Sequence, residues 1–441
     1  MLEAKAPMGS TFTWAPPAPP GGAKDDSRPF ALSQLQIACA AVLGLTVAFN
    51  PLLALVNASV MPVSGTMVAI VQGALIGSAL LLGLYACGRA ASLWIALVWM
   101  LALVSLATAA VRAQFDPKSL GDVLLIPAFV LMGMQLTRTT FIRTVVMMQA
   151  AILIVGIWEV LYPVNFGSVF KVAQYYINSR GYEANDFWAG GDLFVSATRP
   201  HGRMLLPNSG LHRGSSLFLE PVSLGNWTIM ITLFTAGLWR DLSVKLRVLL
   251  IASNMALLVV CDGRLALGVN LMLIAVLPVV RFIPGWISIV YLPFSLLLLT
   301  VAKMLGLLAE VGDTFAGRLR YGIEALGRLN VQRFFAIGES RTGNEDAGLV
   351  YFIQNQTLPV AIILWITVTL ASTGETGGGR AFKHGMAIFL VACLPISNAS
   401  LSIKTTALMW TCFGFFYARA KLASFVAEAD SAKAPTGLAH A

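Results

Sequence analysis

The sequence predicts an all-α polytopic membrane protein of about twelve transmembrane helices, and three observations lead to that fold class. Of the 441 residues, 57% are hydrophobic and only 12% are charged, whereas soluble domains carry about twice that charged fraction. The mean hydropathy is +0.77. Long apolar segments alternate with short basic connections along most of the chain. Together these features exclude an ordinary soluble domain.

The chain begins with a polar stretch, residues 1–29, which is rich in Pro and Gly and contains Lys24 and Asp25. This stretch lacks the pattern of a cleavable secretion signal, so we expect a disordered cytoplasmic tail. Residues 30–420 are predicted to form a single transmembrane domain, and residues 421–441 a second cytoplasmic tail.

A hydropathy window of about 19 residues locates the individual spans. Each span must supply roughly 20 apolar residues to cross the hydrocarbon layer. The twelve predicted spans lie near residues 32–56, 65–87, 91–111, 119–136, 144–164, 217–239, 246–262, 265–280, 284–307, 347–371, 382–399 and 402–419.

Basic residues in the short connections orient these spans, because Lys and Arg concentrate on the cytoplasmic side of a membrane. The connections on one side contain Arg89, Arg138, Arg143, Arg240, Lys245, Arg247, Arg281, Arg380, Lys383, Arg419 and Lys421. This pattern predicts that both termini are cytoplasmic. Two long loops, near residues 165–216 and 308–346, then face the outside, which is the periplasm for a bacterial inner membrane.

Both periplasmic loops are rich in arginine. The planar guanidinium group binds phosphate oxygens in pairs, better than the point charge of lysine. The loops therefore predict an anionic partner.

The first loop also carries five aromatic residues among polar ones: Tyr175, Tyr176, Tyr182, Phe187 and Trp188. Aromatic rings of this kind can stack on the C–H faces of sugars. They can equally form an interfacial belt at the level of the lipid headgroups. The sequence leaves both interpretations open.

The end of the first loop combines charge with the start of an apolar span. Arg199, Arg203 and Arg213 precede Glu220-Pro221, which opens the next predicted helix. Charge at a membrane boundary is costly and indicates function. Glu220 is predicted to act as a base or to organise a phosphate site; the alternative is a carboxylate that stabilises the helix dipole or reaches water.

Two further charged positions lie at span ends. Asp262-Gly263-Arg264 forms a tight turn between apolar runs, either as a surface turn or as an arginine that faces a diphosphate, and we favour the second for Arg264. Lys404, near the start of the last span, is predicted to extend its ammonium group to water.

The second loop is predicted to contain an amphipathic helix, followed by charged residues at the mouth of a late span. The helical stretch carries Arg318, Arg320, Arg328 and Arg333, and the spacing of Arg318, Arg328 and Arg333 places these three in different sectors. After Arg341, the pair Glu345-Asp346 shortly precedes Tyr351. This acidic pair is a candidate for proton handling; the alternative is acids that favour a helix N-terminus.

The five cysteines lie within or beside apolar spans, without a CxxC pair or neighbouring histidines. Neither a disulfide framework nor a zinc site is expected.

The order of these motifs resembles that of the Wzy polysaccharide polymerase and O-antigen ligase superfamily, over roughly residues 140–400. Within the superfamily, the nearest resemblance is to exopolysaccharide polymerases of the xanthan type. The motifs are Arg213-Gly214, Phe218-Leu219-Glu220-Pro221 with Gly225, the Asp262-Gly263-Arg264 turn, Gly317-Arg318, and the acidic residue before Tyr351.

The resemblance implies a GT-C-like bundle that transfers a growing glycan from an undecaprenyl diphosphate carrier to another lipid-linked repeat unit, without a metal or other cofactor. Arg213 and Arg264 fall on the arginine positions of the family, followed by Arg318. With Arg203 and Arg341 from the loops, these residues are predicted to bind the diphosphate. The partners implied are the lipid-linked oligosaccharide and the bilayer, with a chain-length regulator and a flippase as candidate protein partners. Nucleic acid is not expected.

One departure separates this chain from the ligases. Ligases carry a histidine in a His-Asn motif before the late span, where this chain has Asn344-Glu345-Asp346. The difference favours a polymerase over an O-antigen ligase that transfers glycan to the lipid A core. The base remains open between Glu220, Glu345 and Asp346. A lipid-linked sugar transporter or flippase is the other alternative, although no inverted repeat is visible.

Overall fold

The structure, a computed structural model, describes residues 27–433 except residues 86, 184–186, 189–191, 195–196, 198–202, 208, 311–313, 338–346 and 375. Helices dominate this part of the chain, which confirms the predicted all-α class. A small antiparallel hairpin in the first loop pairs β1 (Phe187–Trp188) with β2 (Leu193–Phe194). Residues 1–26 of the predicted N-terminal tail lie outside the described residues.

The first half of the chain forms five long helices and, in the first loop, two short ones. These are α1 (Ser27–Ser59), α2 (Gly65–Tyr85), α3 (Ser92–Arg112), α4 (Pro117–Gly133), α5 (Arg138–Leu161), α6 (Pro163–Phe170) and α7 (Val172–Arg180).

The second half begins with the helix that follows Glu220 and ends with a long C-terminal helix. Its helices are α8 (Pro221–Gly237), α9 (Val244–Cys261), α10 (Arg264–Val280), α11 (Tyr291–Met304), α12 (Phe315–Gly327), α13 (Val331–Phe334), α14 (Gly348–Gln356), α15 (Leu358–Leu370), α16 (Gly377–Cys393) and α17 (Ile403–Lys433).

Local sequence sets several helix starts. Asp116 accepts a hydrogen bond from the backbone N–H of Lys118 and is followed by Pro117 at the first position of α4. Thr137 caps α5 in the same way, and Ser243 caps α9. Such side chains satisfy N–H groups that the first helical turn leaves without a partner. The starts of these helices therefore follow from short polar signals between apolar runs.

Within the described residues, six helical segments are long and apolar enough to cross a membrane: Ser33–Ser59, Gly65–Tyr85, Arg89–Arg112, Arg138–Leu161, Val244–Cys261 and Gly285–Met304. A bent helix pair raises this number to as many as seven. A helix also occupies each of the other predicted spans, but these helices are shorter or less apolar. Twelve membrane crossings therefore remain a prediction.

The predicted span near residues 347–371 is not one straight helix. It consists of α14 and α15, which are bent by 114° relative to each other. The break falls at Thr357, whose φ of +87° is incompatible with a continuing helix. Just before it, Gln354, Asn355 and Gln356 are buried. Broken helices of this kind are tolerated within a membrane protein where other protein groups satisfy the freed backbone.

The last helix is longer than its predicted span. The span was expected to end at residue 419, whereas α17 continues to Lys433. The predicted C-terminal tail therefore begins as a helix, and residues 434–441 lie outside the described residues.

Glycines bring the long helices into backbone contact. A Cβ atom at Gly133 of α4 would collide with the carbonyl oxygen of Thr411 in α17, and one at Gly414 of α17 with that of Val130 in α4. Gly83 of α2 lies against the backbone of α4 in the same way. Small residues at such interfaces replace the hydrophobic driving force that lipid does not supply. They make α2, α4 and α17 a tightly packed layer.

The helix bundle has two distinct ends. At one end, which we call the loop end, the C-termini of α5 and α9 meet the N-termini of α8, α10 and α17, and the first loop packs over them. At the opposite end, the connections before α5 and α9 meet α17, where Arg138 and Arg419 both contact Asp241, at 3.2 and 3.4 Å.

Candidate functional site

The segment from Arg203 to Glu220 is bound to the C-terminus of α9. Arg213 donates through Nε to the carbonyl oxygen of Cys261 at 3.0 Å, and the N–H of Gly214 donates to that of Val260 at 2.9 Å. Arg203 donates to the carbonyl oxygens of Val259 and His212. The last carbonyl groups of a helix lack intrahelical partners and attract cations. Arg203 and Arg213 therefore cap α9.

Both arginines were predicted to bind a diphosphate. The structure buries their side chains against backbone carbonyl groups, so part of their hydrogen-bonding capacity serves the fold. Their role toward a ligand remains a prediction. In the structure they hold the segment from Arg203 to Glu220 against the end of α9, and we call this bound segment the frame of the loop end.

The Asp262-Gly263-Arg264 turn is not a surface turn at its acidic residue. Asp262 is fully buried, adopts a left-handed conformation with φ of +45°, and ends α9. Its carboxylate accepts hydrogen bonds from the backbone N–H groups of Met204 (3.1 Å) and Leu205 (2.7 Å). Asp262 therefore fastens the first loop to the end of α9, next to the arginine caps.

Arg264, in contrast, is exposed at the first position of α10. It comes three residues after Cys261, whose carbonyl oxygen binds Arg213, and three residues span at most about 11 Å. The structure thus brings Arg213 and Arg264 to the same end of the bundle. Arg264 is the one whose guanidinium group lies on the surface.

A carboxylate that the sequence analysis missed organises the same segment. Glu159, near the end of α5, is 1% exposed. It accepts hydrogen bonds from the backbone N–H of Ser215 (2.7 Å), the hydroxyl of Ser215 (2.8 Å) and the N–H of Ser216 (2.5 Å). His212 Nε2 lies 3.7 Å from the same carboxylate. A single acid near the end of an apolar span was the available signal.

Glu220 forms an ion pair with Lys404. The Lys404 ammonium group lies 3.2 Å from Glu220 Oε2, and the hydroxyl of Ser223 donates to the same oxygen at 3.1 Å. Lys404 is 5% exposed, so the prediction that it extends to water was wrong: a carboxylate within reach stabilises the ammonium group inside the bundle. Glu220 does not cap α8 through its side chain.

The charges around Glu220 also set its protonation. Burial alone would raise the pKa of this carboxyl group, but Lys404 and then Arg180 outweigh burial and hold the pKa below its ordinary value. Glu220 precedes α8 and its side chain is 22% exposed. It is therefore an ionised carboxylate whose affinity for a proton is reduced.

The aromatic residues of the first loop pack on one another. Tyr175 and Tyr176 are each 1% exposed and contact each other, and Phe194 packs on Tyr176 with the ring centroids 4.8 Å apart. Buried rings can neither stack on a sugar nor line a headgroup belt, so both interpretations were wrong for these two tyrosines. They form the small core of the loop, with Tyr182 and Phe187 partly buried at its edge. The side chain of Trp188 lies outside the described residues.

The second loop contains the predicted amphipathic helix. Arg318 and Arg320 lie on α12, Arg328 follows its last residue, and Arg333 lies on α13. Arg320 pairs with Glu324 at 2.8 Å, and Arg318 is partly exposed. Arg328 also contacts Glu324, at 3.5 Å, so Arg320 and Arg328 share one side of the helix.

Several predicted residues lie outside the described part of the chain. They are Arg199, Arg341, Glu345 and Asp346. The described structure resumes at Ala347, and Tyr351 then donates its hydroxyl to Asp122 Oδ2 of α4 at 2.8 Å. Among the described residues, no group of three or more His, Cys, Asp or Glu side chains could hold a metal ion.

Comparison of the chain with protein-family models, with curated proteins and with solved structures finds no match. The geometry of the loop end is therefore the basis for a functional proposal, alongside the motif order described above.

Proposed function

We propose that this protein is an inner-membrane polysaccharide polymerase that joins undecaprenyl diphosphate-linked oligosaccharide units in exopolysaccharide biosynthesis. In this proposal the loop end faces the periplasm, both termini are cytoplasmic, and no metal or other cofactor takes part. The chemistry is glycosyl transfer, in which a sugar hydroxyl displaces a lipid diphosphate.

The observation that carries the proposal is the charged corner at the start of α8. Glu220 is ion-paired to the buried Lys404, and Arg180 contributes a second positive charge to the same carboxylate. A departing diphosphate develops negative charge, which prearranged cations stabilise. The positive charges of Lys404 and Arg180 together exceed the single negative charge of Glu220. These groups lie next to the N-terminus of α8, where anions are also favoured.

The proposed roles follow from exposure. Arg264 and Arg318 are accessible and are proposed to contact the diphosphate, together with Arg341. Arg203 and Arg213 are proposed to act at the edge of the same site while they cap α9. Glu220, Glu345 and Asp346 remain the candidate catalytic carboxylates from the sequence.

Two alternatives come from different classes. An O-antigen ligase would use the same frame but a lipid A core acceptor. A lipid-linked sugar transporter or flippase is favoured by one observation, the 114° break between α14 and α15, because discontinuous helices form the substrate sites of many transporters.

Reconstitution separates these functions. Purified protein would be given lipid-linked repeat units in proteoliposomes, with and without lipid A core, and the products sized by electrophoresis. Products of stepwise increasing length support the polymerase, transfer to the core supports the ligase, and movement across the bilayer without new bonds supports the transporter.

The Asp241→Asn variant is the matched control for all three assays. Its carboxylate is ion-paired like that of Glu220 but lies at the opposite end of the bundle. Products unchanged in this variant but lost in Arg264→Lys would tie the activity to the loop end. Loss in both variants would contradict the assignment.

A further inference from the structure

A groove opens at the loop end between α2, α4 and the first turn of α17. Its lining includes Gln72, Gly73, Gly121, Asp122, Leu401 and Ile403. A Cβ atom added at Gly73 would meet nothing within 4 Å, and one added at Gly121 would meet only the side chain of Ile76, at 3.6 Å. The two glycines therefore keep the groove open.

Among the described residues of this lining, Asp122 is the one acid. Its Oδ2 atom accepts the hydroxyl of Tyr351 at 2.8 Å and lies 3.4 Å from the ammonium group of Lys118. Lys118 also lies over the Tyr351 ring, 5.2 Å from its centroid. In the described structure both contacts fall on Oδ2. The Oδ1 atom of a side chain that is 17% exposed is thus left for a hydrogen bond from a ligand.

The first turn of α17 lies between this carboxylate and Glu220. Ile403 lines the groove of Asp122, and the next residue, Lys404, binds Glu220. The two carboxylates are held differently, because the partner of Glu220 is a buried ammonium group, whereas Lys118 is 47% exposed. A carboxylate beside a solvent-screened ammonium group and a neutral hydroxyl accepts a proton more readily than one paired with a buried cation.

We infer that the groove binds the acceptor sugar and that Asp122 takes the proton of its attacking hydroxyl group. This inference rests on the proposed polymerase function and adds a residue to it. The hydroxyl oxygen forms a bond to the anomeric carbon of the donor glycan. The bond from that carbon to the diphosphate oxygen breaks, and its electron pair stays on the diphosphate. The proton moves to Asp122 and from there to water.

The other groups of the groove suit a sugar. The partly exposed Gln72 amide can both donate to and accept from hydroxyl groups, while the buried side chains of Leu401 and Ile403 form the apolar wall behind it. Tyr351 is a positioning residue, because its hydroxyl fixes Oδ2 and thereby the direction of Oδ1.

The test compares Asp122→Asn with Asp241→Asn in the extension of lipid-linked repeat units by purified protein. We expect Asp122→Asn to lower the rate of chain extension by ~10²-fold or more, the usual contribution of a general base, without weakening donor binding. Asp241→Asn should match the wild type. The wild-type rate should also fall on acidification as Asp122 is protonated, and Asp122→Asn should lack this dependence.

Two further variants cover a failure of Asp122→Asn to fold. Gly73→Leu fills the open groove and should raise the KM for the acceptor while leaving donor binding unchanged. Tyr351→Phe keeps the ring under Lys118 but removes the hydroxyl, so it should lower kcat and move the pH profile. Normal extension by Asp122→Asn or, if that variant does not fold, by both of these variants would overturn the inference.

Chain extension by the wild-type protein tests the proposed function, whereas chain extension by Asp122→Asn tests the inference. If the wild-type protein extends chains and Asp122→Asn does too, the inference fails while the proposed function stands. If the wild type extends no chains, the proposed function fails. Loss in Glu220→Gln with normal extension by Asp122→Asn would assign the base to Glu220.

Discussion

The two ends of the bundle use the same charged residue types in different ways. At the opposite end, Asp241 lies between Arg138 and Arg419, whose side chains are about half exposed. At the loop end, Glu159 and Asp262 are buried, and most of their hydrogen bonds come from backbone N–H groups. Exposed ion pairs contribute little to stability, whereas a buried carboxylate that loses its donors costs much more. Burial of the carboxylates thus distinguishes the loop end from the exposed ion pairs at the opposite end.

The largest effect on this comparison would come from the membrane topology, which decides the side of the membrane that the loop end faces. Reporter fusions after residues 190 and 330 should read as periplasmic, and fusions after residues 242 and 378 as cytoplasmic, because the basic connections orient the spans. An inverted pattern would place the loop end in the cytosol. The buried frame would then face nucleotide sugars rather than lipid-linked units, and the proposed function would be lost.

The largest energetic effect is expected at Glu159. Glu159→Ala removes the acceptor of the backbone N–H groups of Ser215 and Ser216 and leaves these buried donors without a partner, so we expect the free energy of unfolding to fall by about 3 kcal/mol. Denaturant unfolding in detergent micelles measures this. Asp241→Asn, the control at the opposite end, should cost about 1 kcal/mol or less. Equal losses in the two variants would remove the distinction between the ends.

A smaller effect should separate the two motif arginines. Arg213→Lys loses the Nε donor to Cys261 and should lower the free energy of unfolding by about 1 kcal/mol. Arg264→Lys should leave it unchanged, because Arg264 is exposed. Chain extension should fall in both variants, since lysine cannot reproduce the paired hydrogen bonds of a guanidinium group. A stability loss in Arg264→Lys would show that it, too, belongs to the frame.

The smallest effect concerns acid. Because the pKa of Glu220 lies below its ordinary value, its ionised form stabilises the fold above the ordinary glutamate pKa of about 4.3. That stabilisation is lost as the pH falls through the lower pKa of the folded protein. The melting temperature of the wild type relative to Glu220→Gln should therefore be higher at about pH 6 than below about pH 4. A difference that grows on acidification would contradict this direction.

Hydropathy predicted where helices occur, because each apolar run contains a helix. It missed the break at Thr357, although Pro359 in the first turn of α15 and the short polar run Gln354–Gln356 were available signals. Whether a span continues through such a run depends on neighbouring groups, such as Ser105, which accepts a hydrogen bond from Gln356. Single-sequence patterns do not contain that information.

The sequence predicted which charged residues lie at the loop end, but it did not predict which groups they contact. Arginine at a membrane boundary needs a partner, but the sequence does not say whether the partner is a ligand or the carbonyl groups of α9. Lys404 was assigned to water because its partner, Glu220, is 184 residues away. Glu159 was overlooked within an apolar span for the same reason, since Ser215 and Ser216 become its neighbours only in the folded chain.

The glycine contacts between α4 and α17 determine which parts of the molecule can shift. Two helices whose backbones touch cannot slide past each other without a collision or a void, so they form one mechanical unit. Asp122 and Lys404 belong to this unit, so in the proposed polymerase we expect their separation to stay constant during turnover. If the proposed function holds, we expect the opening that admits a long glycan to form at elements packed less closely, such as α14 and α15, which meet at the 114° bend at Thr357.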